Sequence, residues 1–183
     1  MPQQQRSSVP TIEANNKALS AALLGGLLKP GAAAERRIAR EYRTLGILDA
    51  AADHLTRALQ FNPADGAAYE GLAQIWRDWG FANIGLGDAQ RAVYFSPASP
   101  SAHNTHGTLL AALGQQTAAR QAYTRALALD PDAAYVLNNL CALSLDQDDA
   151  AQAMRECAAA LSINPDLRMA QANLARAKAV VER

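Results

Sequence analysis

Four prolines constrain this chain more than any other feature. Pro63, Pro97, Pro131 and Pro165 follow one another at intervals of 34 residues. The heptapeptides that end on them read RALQFNP, RAVYFSP, RALALDP and AALSINP. A fixed period of this length is the signature of a stacked array, in which each unit buries its apolar face only against its neighbours.

Further columns share the period. Five residues before each proline stand Ala58, Ala92, Ala126 and Ala160; twelve before stand Ala51, Gly85, Ala119 and Ala153. Twenty-four before stand Ala39, Ala73, Gly107 and Cys141. Small residues in these columns let two antiparallel helices touch; a larger side chain would overpack the contact by about 1–3 kcal/mol. Seventeen before each proline stand Gly46, Gly80, Gly114 and then Asp148. Glycine there divides each unit into two helices, because it takes positive φ without a Cβ penalty, and aspartate tolerates that conformation better than most residues. The prolines close the second helix. Bulkier residues fill the remaining seam: Ile38, Leu72, His106 and Leu140 in one column, Tyr42, Trp76, Leu110 and Ser144 in another.

The composition agrees with an all-α reading. Half of the residues are hydrophobic but only 5% are aromatic, and 42 alanines fill the gap. Alanine is the best helix former and permits close helix approach. Seventeen basic and 17 acidic side chains cancel, which argues against a general nucleic-acid or anionic-membrane binder. No apolar run reaches the about 18 residues of a membrane span. Leu19 to Leu28 is short, with Glu13 before it and Lys29 after it, which speaks against a secretory signal. The abundance of alanine and arginine hints at a GC-rich bacterial genome, by association only.

The 34-residue helix–turn–helix unit, its small residues and its closing proline resemble the tetratricopeptide repeat. Gly107, Gly114, Ala119, Tyr123, Ala126 and Pro131 carry the resemblance best, and it covers residues 32 to about 178. The second unit departs most: Gly85 and Gly87 weaken its second helix and Ala89 replaces a larger residue, with Trp76 and Trp79 expected to fill the space. The expected fold is a right-handed α-solenoid of antiparallel helix pairs. A flexible segment over 1–10 precedes a capping helix or half-repeat over 11–31, N-capped by Thr11 and running from Ile12 to Leu28. Four units follow, over 32–65, 66–99, 100–133 and 134–167, and a polar capping helix closes the array over 168–183.

In this family the first helix of each pair lines a concave groove, so the resemblance implies a scaffold or adaptor that binds a peptide or a partner helix. The candidate groove residues are Arg36, Arg37, Arg40, Arg43, Gln74, Arg77, Asn104, Thr108, Asn138, Asn139 and Asn173. The arginines gather in the N-terminal half and the asparagines in the C-terminal half. Arginine presents a planar fork suited to carboxylates, and asparagine offers both a donor and an acceptor to a peptide backbone. The combination points to an extended acidic peptide. The alternative is a solvated helix face. The family's best-known carboxylate clamp needs Lys and Asn on one first helix, Asn on the next, and Lys and Arg on a third. This chain does not reproduce it; Thr108 and Met169 stand where clamp residues would be.

No catalytic set emerges, and neither a cofactor nor a metal is expected. His103 and His106 have a spacing that can bind a metal, but His106 falls in an apolar column and reads as a hydrogen-bonded core histidine. Cys141 and Cys157 lie on the two helices of one unit, at positions that should face each other. They read as small buried residues, with a disulfide conceivable if their Cα atoms lie within about 7 Å. A zinc site from these cysteines and His106 lacks a fourth ligand. Asp146, Asp148 and Asp149 read as a solvated turn. The partner is expected to be a protein or peptide, with no nucleic acid and no membrane insertion, the chain itself being a monomer or weak homodimer. Two other readings stay open: a self-associating structural module, and an RNA-binding helical repeat, disfavoured because the basic residues do not recur in every unit.

Overall fold

A computed structural model describes residues 16–181. Ten helices and no strand make up the described residues: α1 (Lys17–Leu28), α2 (Ala32–Thr44), α3 (Leu48–Phe61), α4 (Gly66–Asp78), α5 (Ala82–Phe95), α6 (Pro100–Ala112), α7 (Gln116–Leu129), α8 (Ala134–Asp146), α9 (Ala150–Ile163) and α10 (Arg168–Val181). The expected Thr11 cap and the start at Ile12 fall outside the described residues. Within them α1 opens behind Asn16, whose Oδ1 accepts from the Leu19 amide at 2.9 Å. Asp65, Ser99 and Asp149 cap α4, α6 and α9 in the same way, each relieving one amide that has no partner inside its helix.

The periodic columns explain the packing. Ala51, Ala58, Ala73, Ala89, Ala92, Ala119, Ala126, Ala153 and Ala160 are fully buried. Small size is obligatory where two helices of a pair cross. A Cβ on Gly107 would lie 2.7 Å from the Tyr123 ring, and one on Gly85 would lie 2.8 Å from Cβ of Trp76. The turns between paired helices repeat one conformation: Gly46, Gly80, Gly114 and Asp148 have φ of 74°, 84°, 72° and 59°. Asp148 is the only non-glycine residue with positive φ among those described.

Consecutive helices pack side by side along the array, and the layers curve. First helices also meet first helices: α4 packs on α6, α6 on α8 and α8 on α10, with no comparable contact between second helices. The layer of first helices is therefore the compressed, inner wall, and the second helices splay outward.

Two expectations change. Trp79 does not fill the space around Ala89; it caps α4 at the surface, 38% exposed, edge-on to Trp76 at 5.2 Å. Trp76 is half-buried and donates from Nε1 to Asp88 Oδ2 at 3.1 Å. His106 is not the hydrogen-bonded histidine: its Nε2 is buried without a partner, and burial followed by the charge of His103 lowers its pKa. His103 instead places Nε2 2.9 Å from the Pro97 carbonyl oxygen.

Candidate functional site: the inner wall of the first helices

The inner wall carries a repeating polar rung. A residue one position further along each first helix reaches back to the preceding one, 35 residues earlier. Asn139 Nδ2 donates to Asn104 Oδ1 at 2.8 Å, and Asn173 Nδ2 donates to Asn138 Oδ1 at 3.0 Å. Thr105 Oγ1 donates to Glu70 Oε1 at 3.2 Å. The four asparagines thus pair with one another, two by two, and each pair ties adjacent helices together. Thr108 turns its hydroxyl back to the Asn104 carbonyl at 2.9 Å.

The arginines occupy three settings. Arg36, Arg40 and Arg43 line one cleft with Glu70, Gly71, Gln74 and Ser101, about 340 Å³ in volume. Arg43 hydrogen-bonds Gln74 and lies 3.3 Å from Asp78. Arg36 Nε lies 2.9 Å from Asp65 Oδ2, close enough to pair in charge, yet that N–H is buried and makes no aligned hydrogen bond. Arg77 is bound by its own neighbour, Asp78, at 2.6 Å. Arg37 is not brought to this cleft. It lines a separate one with Gly25, Lys29 and Pro30, where α1 meets α2.

The acids that answer these arginines were not among the candidate groove residues. Asp65, Glu70 and Asp78 all sit on or beside α4, and each contacts the inner-wall polar network. Glu70 Oε1 is the hub: it accepts from Gln74 at 3.0 Å, from Thr105, and from Ser101. Gln74 Nε2 also donates to Thr105 Oγ1 at 3.1 Å. The N-terminal half of the wall is a charge network with a basic excess, not a bare basic patch. Tyr135 was missed as well. It is 42% exposed, and burial first, then the negative fields of Asp130 and Glu70, raise its phenol pKa. The column thirty residues before each proline holds Ala33, Ala67, Ser101 and Tyr135, and reading it would have placed Tyr135 on this wall.

A second polar cluster lies between helix pairs. Arg120 on α7 donates to Glu156 Oε1 at 2.8 Å and to Ser144 Oγ at 2.7 Å, and Ser144 donates to Glu156 Oε2 at 2.6 Å. Ser144 is fully buried and Glu156 is 7% exposed, so this charge is held by partners rather than by water. Nearby, Cys141 and Cys157 are joined as a disulfide across α8 and α9, with a Cα–Cα distance of 5.3 Å.

Comparison with known proteins addresses the fold. The tetratricopeptide-repeat family model matches residues 100–133. No curated protein matches the chain by sequence. Among solved structures, a thermophilic tetratricopeptide-repeat protein of Thermus thermophilus superposes with a TM-score of 0.76 at 22% identity, covering 87% of this chain and 88% of that one. YrrB, described as a tetratricopeptide-repeat protein with an unusual peptide-binding site, gives a TM-score of 0.65 at 22% identity, covering 90% and 84%. The first tetratricopeptide domain of Spaghetti (RPAP3), bound to the HSP90 peptide SRMEEVD, gives 0.60 at 21% identity, covering 64% and 93%. Residues 100–133 are thus matched by the repeat's own model, and the helix pairs around them share the fold of solved tetratricopeptide-repeat structures.

Proposed function

We propose that the protein is a non-catalytic interaction scaffold whose inner wall binds an extended, acidic peptide or the acidic face of a partner helix. The observation that carries this reading is the convergence of Arg36, Arg40 and Arg43 on one open cleft of the concave layer. Arginine forks suit carboxylates in a partly dehydrated groove, where charge-assisted bonds are stronger than at a flat surface. Two structural neighbours described with peptides or peptide-binding sites lend support to a peptide as the class of partner. The asparagines contribute differently from the expectation. Because they already pair with one another, a peptide backbone gains from them only by opening the rungs or by using their unfilled lone pairs and amide hydrogens.

Titration of the protein with fluorescent acidic and basic peptides of equal length tests the proposal. Acidic peptides are expected to bind more tightly, with an advantage that shrinks as salt rises. Preferential binding of basic peptides contradicts it.

A further inference from the structure

The inner-wall rung is present at three junctions and missing at one. Thr105, Asn139 and Asn173 each reach back to the preceding first helix. In the same register α4 carries Gly71, which has no side chain to send toward Arg36. The glycine is crowded from behind: a Cβ there would lie 2.8 Å from Leu55 Cδ1. At this junction α2 and α4 also lack the close approach seen between α4 and α6. The result is the cleft of about 340 Å³.

Its cations are not fully used by the fold. Arg43 is committed to Gln74 and Asp78. Arg36 keeps a buried N–H without an aligned acceptor. Arg40 lines the cleft, is exposed, and has no side-chain partner among the described residues.

We propose that the notch left by Gly71 is the anchoring subsite of the groove, taking one carboxylate side chain of the bound peptide between Arg36 and Arg40. This rests on the peptide-binding reading above and adds to it a place and a charge count. The count follows from Glu70, whose carboxylate lies on the opposite wall of the same cleft, held by Gln74, Thr105 and Ser101. One ligand charge meets Arg40, which has no side-chain partner among the described residues, and the part of the Arg36 guanidinium turned away from Asp65; a second charge nearby meets Glu70 at short range in a medium less polarisable than water. A single Asp or Glu side chain therefore fits better than a doubly charged phosphoserine.

A random library of N-acetylated, C-amidated decapeptides, selected on the full chain, tests the subsite. Three proteins are compared: wild type, Arg40→Gln and Arg57→Gln. Arg57 is an exposed arginine of α3 outside the cleft and controls for net charge. Wild type and Arg57→Gln are expected to enrich Asp or Glu at one peptide position by about tenfold, the scale of one charge-assisted pair. Arg40→Gln is expected to lose that enrichment, keep its helical spectrum and melting temperature, and still retain peptides. Undiminished enrichment with Arg40→Gln overturns the subsite and leaves the groove reading standing. Retention of no peptide by any of the three overturns both. A selected peptide remade with phosphoserine in place of its acidic residue, or with that residue replaced by Gln and a free C-terminal carboxylate, is compared with the parent; tighter binding of either overturns the assignment to a single side-chain carboxylate.

Discussion

Asn139 on α8 donates to Asn104 on α6 across 2.8 Å, and the two side chains close a bond between helices that are not consecutive. Amides that looked available to a ligand are thus part of what holds the inner layer together. The same holds one junction further on, where Asn173 reaches Asn138.

Replacing Asn139 by Ala is therefore expected to cost stability, by about 1 kcal/mol for one lost hydrogen bond in a half-buried setting. Urea denaturation measures it, through a lower midpoint at unchanged slope. An unchanged midpoint together with weakened peptide binding would mean that the rung is idle and the amide serves only the ligand.

Gly107 faces the Tyr123 ring at the centre of the third helix pair, α6 and α7. Gly107→Leu is expected to destabilise by about 3 kcal/mol, since the first added atom already falls 2.7 Å from the ring. The compensating Gly107→Leu, Tyr123→Ala double variant should recover part of that loss, as residues in direct contact are not additive.

His106 occupies a column filled elsewhere by Ile38, Leu72 and Leu140, and its folded-state pKa is lowered by burial and by His103. The fold thus favours the neutral ring. That costs nothing above about pH 6.5, where an unfolded histidine is neutral too. As pH falls below that value the unfolded chain takes up a proton that the folded chain resists, and stability is lost. His106→Leu should flatten the decline of melting temperature between about pH 7 and 5.5, and should also raise the melting temperature at pH 7 by removing a buried unpaired nitrogen.

The disulfide between Cys141 and Cys157 spans a sequence separation of 16. Closing a loop of that size stabilises by about 3 kcal/mol through the unfolded chain. Reductant should lower the melting temperature of the wild type and leave that of a Cys141→Ala, Cys157→Ala double variant unchanged.

How far the sequence could be read depended on the kind of information. Periodic features were legible because every unit repeats the same demand: Pro63, Gly80, Ala92 and Ala119 each satisfy a steric rule that recurs along the array. The positive φ of Asp148 followed from the glycines in its column. Individual features were not legible, since they arise where one unit departs from the rest. The pairing of Arg36 with Asp65, and of Arg77 with Asp78, depends on side-chain direction and reach, which column position does not encode. Nor could the columns show that Arg37 turns toward α1, because α1 lies one residue out of the 34-residue register. The Ser144–Glu156 bond repeats the columns of Trp76 and Asp88 two units earlier, but Arg120, which adds a third helix to the cluster, stands where that earlier unit has Ala52. Only the serine, standing where Tyr42, Trp76 and Leu110 stand elsewhere, marked the place.

The central claim is that ligand binding occurs on the wall built from α2, α4, α6 and α8. Backbone amide shifts measured by NMR while a capped acidic decapeptide is added test it most directly. The account predicts that the perturbed amides concentrate in those four helices, strongest around Arg40 and Gly71. Perturbations confined to the outward-facing helices α3, α5, α7 and α9, or none at saturating peptide, would contradict it.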